Sequence, residues 1–288
     1  MSEREPILKV RDISVDFTLP PSSLFGKKRI LHAVKNVSFD LYAGETLGIV
    51  GESGSGKSTL ARAVTRLVQA TGGSSVYLGN DIQHMTSKEL LALRKDIQMV
   101  FQDPLASLNP RMTAGAIIAE PLLTHEPNVS KAERTARVIH MMEKVGLQGT
   151  MINKYPHEFS GGQCQRIGIA RALITNPKLV VCDEAVSALD VSIRAQVINL
   201  LMDLQKELGI SMLFISHDIA VVRHIAQRVM VLYLGEVVEI GDVAQVVENP
   251  QHAYTKKLIA AVPVPDPVIE MERREERRRL RKAAQSAA

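Results

Sequence analysis

The sequence predicts an α/β fold built on a mostly parallel sheet, and three observations carry that expectation. Short apolar runs alternate with helical stretches along most of the chain, the pattern of strands joined by crossover helices. Several runs, 46–50 and 179–182 among them, are apolar almost throughout, as strands covered on both faces of a parallel sheet are. The alternation is interrupted once, between 103 and 156, where no strand pattern occurs and helical spacing takes over.

The elements follow in order. Residues 7–17 alternate apolar and polar (Leu8, Val10, Ile13, Val15, Phe17) and read as a strand. A loop with Pro20, Pro21 and Gly26 leads to a second strand at 34–41, turned by Ala43 and Gly44. The buried strand 46–50 runs into a glycine-rich loop and then a helix at 57–68. Strands at 75–78 and 97–101 flank a polar helix beginning near Ser87. In the interrupted region, 114–123 and 131–145 have helical spacing, and the stretch Asn128, Val129, Ser130 offers an N-cap for the second. A helix from Gly162 to about Ile174 restores the α/β pattern. Strands 179–182, 211–215 and 228–232 then alternate with helices 191–208 and 219–225.

Composition excludes several classes. Of 288 residues, 45% are apolar and 23% charged, which is globular rather than disordered usage. No apolar run approaches the roughly 20 residues of a membrane span, and the first residues lack a signal-peptide layout. Two cysteines, Cys164 and Cys182, exclude a disulfide scaffold and suit a reducing cytoplasm; they are expected on a helix face and in a buried strand. The net charge is +4, and residues 270–282 hold seven basic and four acidic side chains, a net of +3. The remainder is therefore near neutral, and no nucleic-acid partner is expected. The basic run reads as a solvated or frayed end, with contact to anionic lipid headgroups as the alternative.

Two local patterns carry chemistry. Gly51, Glu52, Ser53, Gly54, Ser55, Gly56, Lys57 and Ser58 match G-x-x-x-x-G-K-[ST], with Thr59 next in the helix, between a strand and a helix as that motif requires. Glycines let backbone N–H groups curl around phosphate oxygens, and the helix N-terminus favours an anion. Lys57 is expected to reach the β- and γ-phosphates, and the Ser58 hydroxyl to ligate Mg²⁺. The run 179–182 ends in Asp183 and Glu184, the Walker B layout. Asp183 is the expected Mg²⁺ holder and Glu184 the general base for the attacking water. The cofactors expected are ATP and Mg²⁺.

Phe159, Ser160, Gly161, Gly162 and Gln163 resemble the L-S-G-G-Q signature of ATP-binding cassette (ABC) proteins. The resemblance covers about 7–262 and implies a P-loop NTPase nucleotide-binding domain at 1–266. That domain would have an antiparallel N-terminal β subdomain, a RecA-like core and an inserted helical subdomain at about 103–160, with a charged tail at 267–288. Gln102 resembles the Q-loop glutamine, here also an expected Mg²⁺ contact. Asp190 resembles the D-loop aspartate, and His217 the switch histidine. Phe17 stands where the family stacks an aromatic on adenine, with Phe25 as its rival. The segments 101–112, 155–159 and 249–255 resemble those of ATP-binding subunits of oligopeptide and dipeptide importers, the F-type above all.

The family pattern implies that Ser160, Gly161, Gly162 and Gln163 contact the ATP of a partner chain. The implied partners are a second, D-type ATP-binding subunit, two transmembrane permease subunits reaching the helical insert, and a solute-binding protein. The chain would lie peripherally on the cytoplasmic face of the inner membrane, and oligopeptide is the expected cargo. The alternative is a soluble ABC ATPase acting on ribosomes or DNA. Ala185 replaces the usual proline after Walker B, and Ala253 the proline of the C-terminal motif. Many relatives hold an iron–sulfur cluster in a cysteine-rich C-terminal segment. No cysteine follows Cys182 here, so none is expected.

Overall fold

The computed structural model describes residues 5–20 and 29–261. Phe25, most of the first loop and the basic tail lie outside the described residues. Strands β1 (Pro6–Leu19) and β2 (Arg29–Tyr42) form a long antiparallel pair. Strand β3 (Thr46–Val50) is buried at every residue and leads through the glycine-rich loop into α1 (Lys57–Val64). Strands β4 (Gly72–Tyr77) and β5 (Asn80–Asp81) then return to the first pair, completing an antiparallel sheet of order β2-β1-β4-β5.

Helix α2 (Ser87–Leu93) is closed by a capping box between Thr86 and Glu89 and precedes β6 (Ile97–Val100). The helical insert follows, with α3 (Ala114–His125), α4 (Lys131–Lys144) and α5 (Gly161–Leu173). Within the stretch 128–130 that offered a cap, Ser130 is the residue that caps α4, accepting from the Glu133 N–H. The core then resumes with β7 (Leu179–Asp183), α6 (Val191–Leu208), β8 (Ser211–Ser216), α7 (Ile219–Ile225) and β9 (Arg228–Tyr233). Strand β10 (Glu236–Asp242) and helices α8 (Val243–Glu248) and α9 (Ala253–Ala260) complete the described chain.

The central sheet has the order β10-β9-β3-β8-β7-β6. All its pairings are parallel except β10 with β9. Alternation along each strand divides the core in two. Val50, Val180, Cys182, Met212 and Phe214 face the helical insert, whose Ile117, Ile118 and Leu122 share that cluster. Leu47, Ile49, Leu179, Val181, Leu213 and Ile215 face the antiparallel sheet and α1. Parallel register places the ends of β3, β6, β7 and β8 along one edge of the sheet, where Val50 pairs with Ser216 and Asp183 with Ile215. Open parallel sheets bind ligands at that edge.

Two details depart from the sequence reading. Helix α1 stops at Val64 rather than running to residue 68, because Arg66 takes a left-handed φ of 54° and the Thr65 hydroxyl returns to the Ala61 carbonyl at 2.9 Å. Strand β10 and helices α8 and α9 were not expected. Strand β10 is a half-exposed edge strand reached through a tight turn at Leu234 and Gly235, whose positive φ values of 48° and 85° suit a two-residue hairpin.

The contact of β3 with α7 is unusually close. A Cβ on Gly48 would lie 2.1 Å from Val222 Cγ1, on a β-branched side chain with little rotamer freedom in a helix. Gly48→Ala is therefore expected to destabilise the fold by about 1–3 kcal/mol. Thermal unfolding should show a midpoint several degrees lower; an unchanged midpoint would mean that α7 gives way without cost.

Candidate active site

The phosphate loop is held by backbone on two sides. A Cβ on Gly56 would come within 2.3 Å of the Ala33 carbonyl of β2, and one on Gly51 within 2.2 Å of the Leu232 carbonyl of β9. Only glycine lets the loop lie so near both strands. From the β9–β10 turn, the Gly235 N–H donates to the Ser55 carbonyl at 2.9 Å. Gly56 is the N-cap of α1 and offers no side chain to it, so the first N–H groups of the helix are left for a ligand.

Lys57 is buried and folded back over this loop. Its ammonium donates to the Gly51 and Glu52 carbonyls, both at 2.8 Å, and to Ser55 Oγ at 3.4 Å. Burial lowers its pKa, while the charges of Glu184 and Asp183 act to keep it protonated.

The two carboxylates after β7 are treated differently. Asp183 is 1% exposed and accepts a hydrogen bond from Ser58 Oγ at 2.6 Å, with Arg62 Nη2 3.4 Å away. Glu184 turns away from that pair, with a left-handed φ of 47°. Its N–H donates to the Ile215 carbonyl, and its own carbonyl accepts from the Ser187 N–H and Oγ. These bonds hold the turn with Ala185 in place of proline. The Glu184 side chain meets two others from neighbouring strand ends. Gln102 Nε2 donates to Oε2 at 3.3 Å, and His217 Nδ1 lies 3.3 Å from the same oxygen.

A cavity of about 690 Å³ joins Lys57, Ser58, Gln102 and Glu184. Ser53, Gly54, Gly56, Lys57, Ser58 and Thr59 line its floor, and Gln102 and Glu184 one wall. Phe17, Ile30, Leu31 and Leu234 add apolar lining, beside His32 and Lys35. Phe17 is 38% exposed there, and the neighbouring His32 is fixed by Asp16 at 2.7 Å. A charged, glycine-lined floor with an aromatic side chain in the lining matches an anionic tail attached to a flat ring.

The remaining expected residues sit elsewhere. Ser160 is the N-cap of α5 and forms a capping box with Gln163: its Oγ accepts from the Gln163 N–H, and Gln163 Oε1 accepts from the Ser160 N–H. A Cβ on Gly162 would lie 2.5 Å from Ile193 Cγ2, so this glycine lets α5 pack on α6. Gly161 has open space around it. Asp190 is exposed at the start of α6 and does not cap it. None of Ser160, Gly161, Gly162, Gln163 or Asp190 lines the cavity of their own chain.

Residues 34–187 match the profile of the ABC transporter family, and 238–286 that of the oligopeptide/dipeptide transporter C-terminal region. The oligopeptide transport ATP-binding protein OppF of Haemophilus influenzae is 58% identical over 271 residues, 93% of this chain and 82% of that protein. The chain belongs to the ABC transporter family. Another ABC relative, the OppF of Escherichia coli K12, is 57% identical over 93% of this chain and 80% of its own length. The glutathione import protein GsiA of Escherichia coli O157:H7 is 57% identical over 91% of this chain, which spans 42% of it. Among solved ABC structures, the post-hydrolysis dimer of the cassette MJ0796 bound to ADP and phosphate matches with a TM-score of 0.73 and 31% identity over 82% of this chain and 98% of that one. The cassette cbiO1 of Clostridium perfringens matches with a TM-score of 0.75 and 27% identity over 93% and 98%. The protein is an ABC ATPase of α/β fold, with a parallel core, an antiparallel sheet and a helical insert.

Three residues of this ABC site escaped sequence reading. Arg62 lies one turn beyond Ser58 on α1, so its approach to Asp183 was accessible from helical spacing alone. His32 had no such local signal, and Tyr254 was read only as part of the resemblance at 249–255, with no place in the site. Tyr254 reaches the phosphate loop from 202 residues away. The oxygen donors suit a hard cation: Ser58 Oγ and Asp183 Oδ1 are already adjacent, and Gln102 keeps its amide oxygen free of Glu184. Two or three protein oxygens, completed by phosphate and water, fit Mg²⁺. Among the described residues no helix is long and apolar enough to cross a membrane, and Cys182 is pushed up to about 12 by burial, an inert thiol rather than a ligand.

Proposed function

We propose that this chain binds and hydrolyses ATP to energise oligopeptide uptake through separate permease subunits. The observation that carries this reading is the meeting of Gln102 and His217 at one carboxylate oxygen of Glu184, with Gln102 and Glu184 lining the same cavity as Lys57 and the glycine loop. Ser53 to Thr59 hold the phosphates, and Phe17 stacks on adenine. Ser58, Asp183 and Gln102 would hold Mg²⁺, which would supply positive charge to the phosphate oxygens. Glu184 accepts a proton from water as its oxygen attacks the γ-phosphorus, and the bond to the bridging oxygen breaks to leave ADP and phosphate. Gln102 and His217 fix the Glu184 carboxylate, and Lys57 neutralises the phosphoryl oxygens.

Ser160, Gly161, Gly162 and Gln163 serve the nucleotide of a second ATP-binding subunit, of D-type, with Asp190 at the same junction. Their distance from this chain's own cavity supports that assignment, as does the dimeric form of the MJ0796 cassette. A groove between the core and the insert receives a short helix of one permease. It measures about 350 Å³ and includes Leu67, Phe101, Pro121 and Arg171, directly beside Gln102. The chain thus sits on the cytoplasmic face of the membrane, with a solute-binding protein delivering cargo. The names of the OppF relatives and the C-terminal region match support oligopeptide as that cargo.

Affinity purification tests the assembly. Tagged Glu184→Gln protein, recovered from solubilised membranes with ATP present, is expected to bring down two permeases and a second ATP-binding subunit. The associated solute-binding protein would then be screened with peptides. Recovery with ribosomes, nucleic acid or soluble proteins alone would overturn the transport reading.

A further inference from the structure

The C-terminal segment 249–255 has no part in the reaction above, yet its tyrosine touches the phosphate loop. The Glu52 N–H donates to Tyr254 Oη at 2.9 Å. The Glu52 carbonyl accepts from Lys57 Nζ at 2.8 Å. Both polar backbone groups of Glu52 are thereby committed within the protein.

Tyr254 is itself held firmly. It is 7% exposed, and its ring lies 4.1 Å from that of Tyr233 between centroids. Its helix is anchored to β10 through Glu239, whose two carboxylate oxygens accept from the Gln251 and His252 N–H groups at 2.9 and 3.0 Å. His252 Nδ1 then accepts from the Tyr254 N–H at 3.2 Å. A continuous set of bonds therefore runs from the edge strand through the start of α9 to the loop.

We propose that Tyr254 is a positioning residue for the nucleotide site: its hydroxyl fixes the first turn of the phosphate loop, so that the loop and Lys57 are ordered before ATP arrives. A loop ordered in advance loses less entropy on binding, and the saving appears as affinity. The C-terminal region thereby acts on the nucleotide site of its own chain. This inference rests on the reading of the loop as the ATP site.

The test is Tyr254→Phe in the full chain, which keeps the ring on Tyr233 and removes the acceptor. Titration calorimetry with ATP and Mg²⁺ should show affinity weakened about three- to tenfold, the scale of one neutral hydrogen bond. In the assembled transporter KM for ATP should rise by a similar factor with kcat changed less than twofold, roughly what loss of uniform binding produces. Hydrogen exchange of the nucleotide-free chain should be faster across 51–58 in the variant. Unaltered exchange and affinity, or a lowered thermal midpoint with unaltered affinity, would overturn the proposal. A parent chain that binds no ATP would instead remove the nucleotide-site reading, with exchange across 51–58 still deciding whether Tyr254 orders the loop.

Discussion

Glu184→Gln is expected to lower ATP hydrolysis by about 100- to 10,000-fold while leaving ATP binding close to that of the parent. The substitution keeps the volume and the amide oxygen can still accept from Gln102 Nε2, 3.3 Å away. It removes the capacity to take a proton. It also leaves the backbone turn intact, because that turn depends on bonds from Ser187 and to Ile215 rather than on the carboxylate. Phosphate release and ATP affinity, measured on the assembled transporter, separate the two effects. Hydrolysis within tenfold of the parent would mean that another group takes the proton, and Glu184 would then serve geometry alone.

Lys57→Ala should act at the other step. Its ammonium makes the charge-assisted bonds available to phosphate oxygens, each worth about 1.5–3 kcal/mol. Two such bonds correspond to a loss of affinity of about 100-fold or more. In the parent, burial lowers the pKa of this ammonium, and the charges of Glu184 and Asp183 act against that shift. The variant also leaves the Gly51 and Glu52 carbonyls without their donor, so a small loss of stability should accompany the loss of binding. Calorimetric titration of ATP against the parent and the variant reads the effect directly. Affinity within fivefold of the parent would show that the loop amides hold the phosphates without the lysine.

The two variants divide the site along the line that separates local from distant information. The phosphate loop was legible because its requirement is local: close approach to the strands needs glycine at Gly51 and Gly56, and Lys57 and Ser58 follow in the same turn. The central strands were legible because burial on both faces leaves an unbroken apolar run, as at Thr46–Val50. The cap of α4 could be narrowed to the stretch 128–130, since a helix start is decided within a few residues, and the structure chose Ser130.

Other features depend on residues far apart in the chain. Strand β10 escaped notice because an edge strand that is half exposed carries no continuous apolar run. Its pairing with β9 is fixed by the turn at Leu234 and Gly235, and the same turn secures the Ser55 carbonyl. The early end of α1 reflects a left-handed Arg66, a backbone choice that side-chain periodicity does not report.

What the sequence determined by itself was the class of fold, the phosphate loop, the acidic pair and the family signature, each written in a short contiguous stretch. Only the tertiary structure decided that Gln102, Glu184 and His217 meet at one carboxylate oxygen, because parallel register brings the ends of β6, β7 and β8 to one edge. It alone set Tyr254 against Glu52. Local sequence constrains backbone conformation and burial, whereas the direction in which a distant side chain points is set by the packing of whole elements.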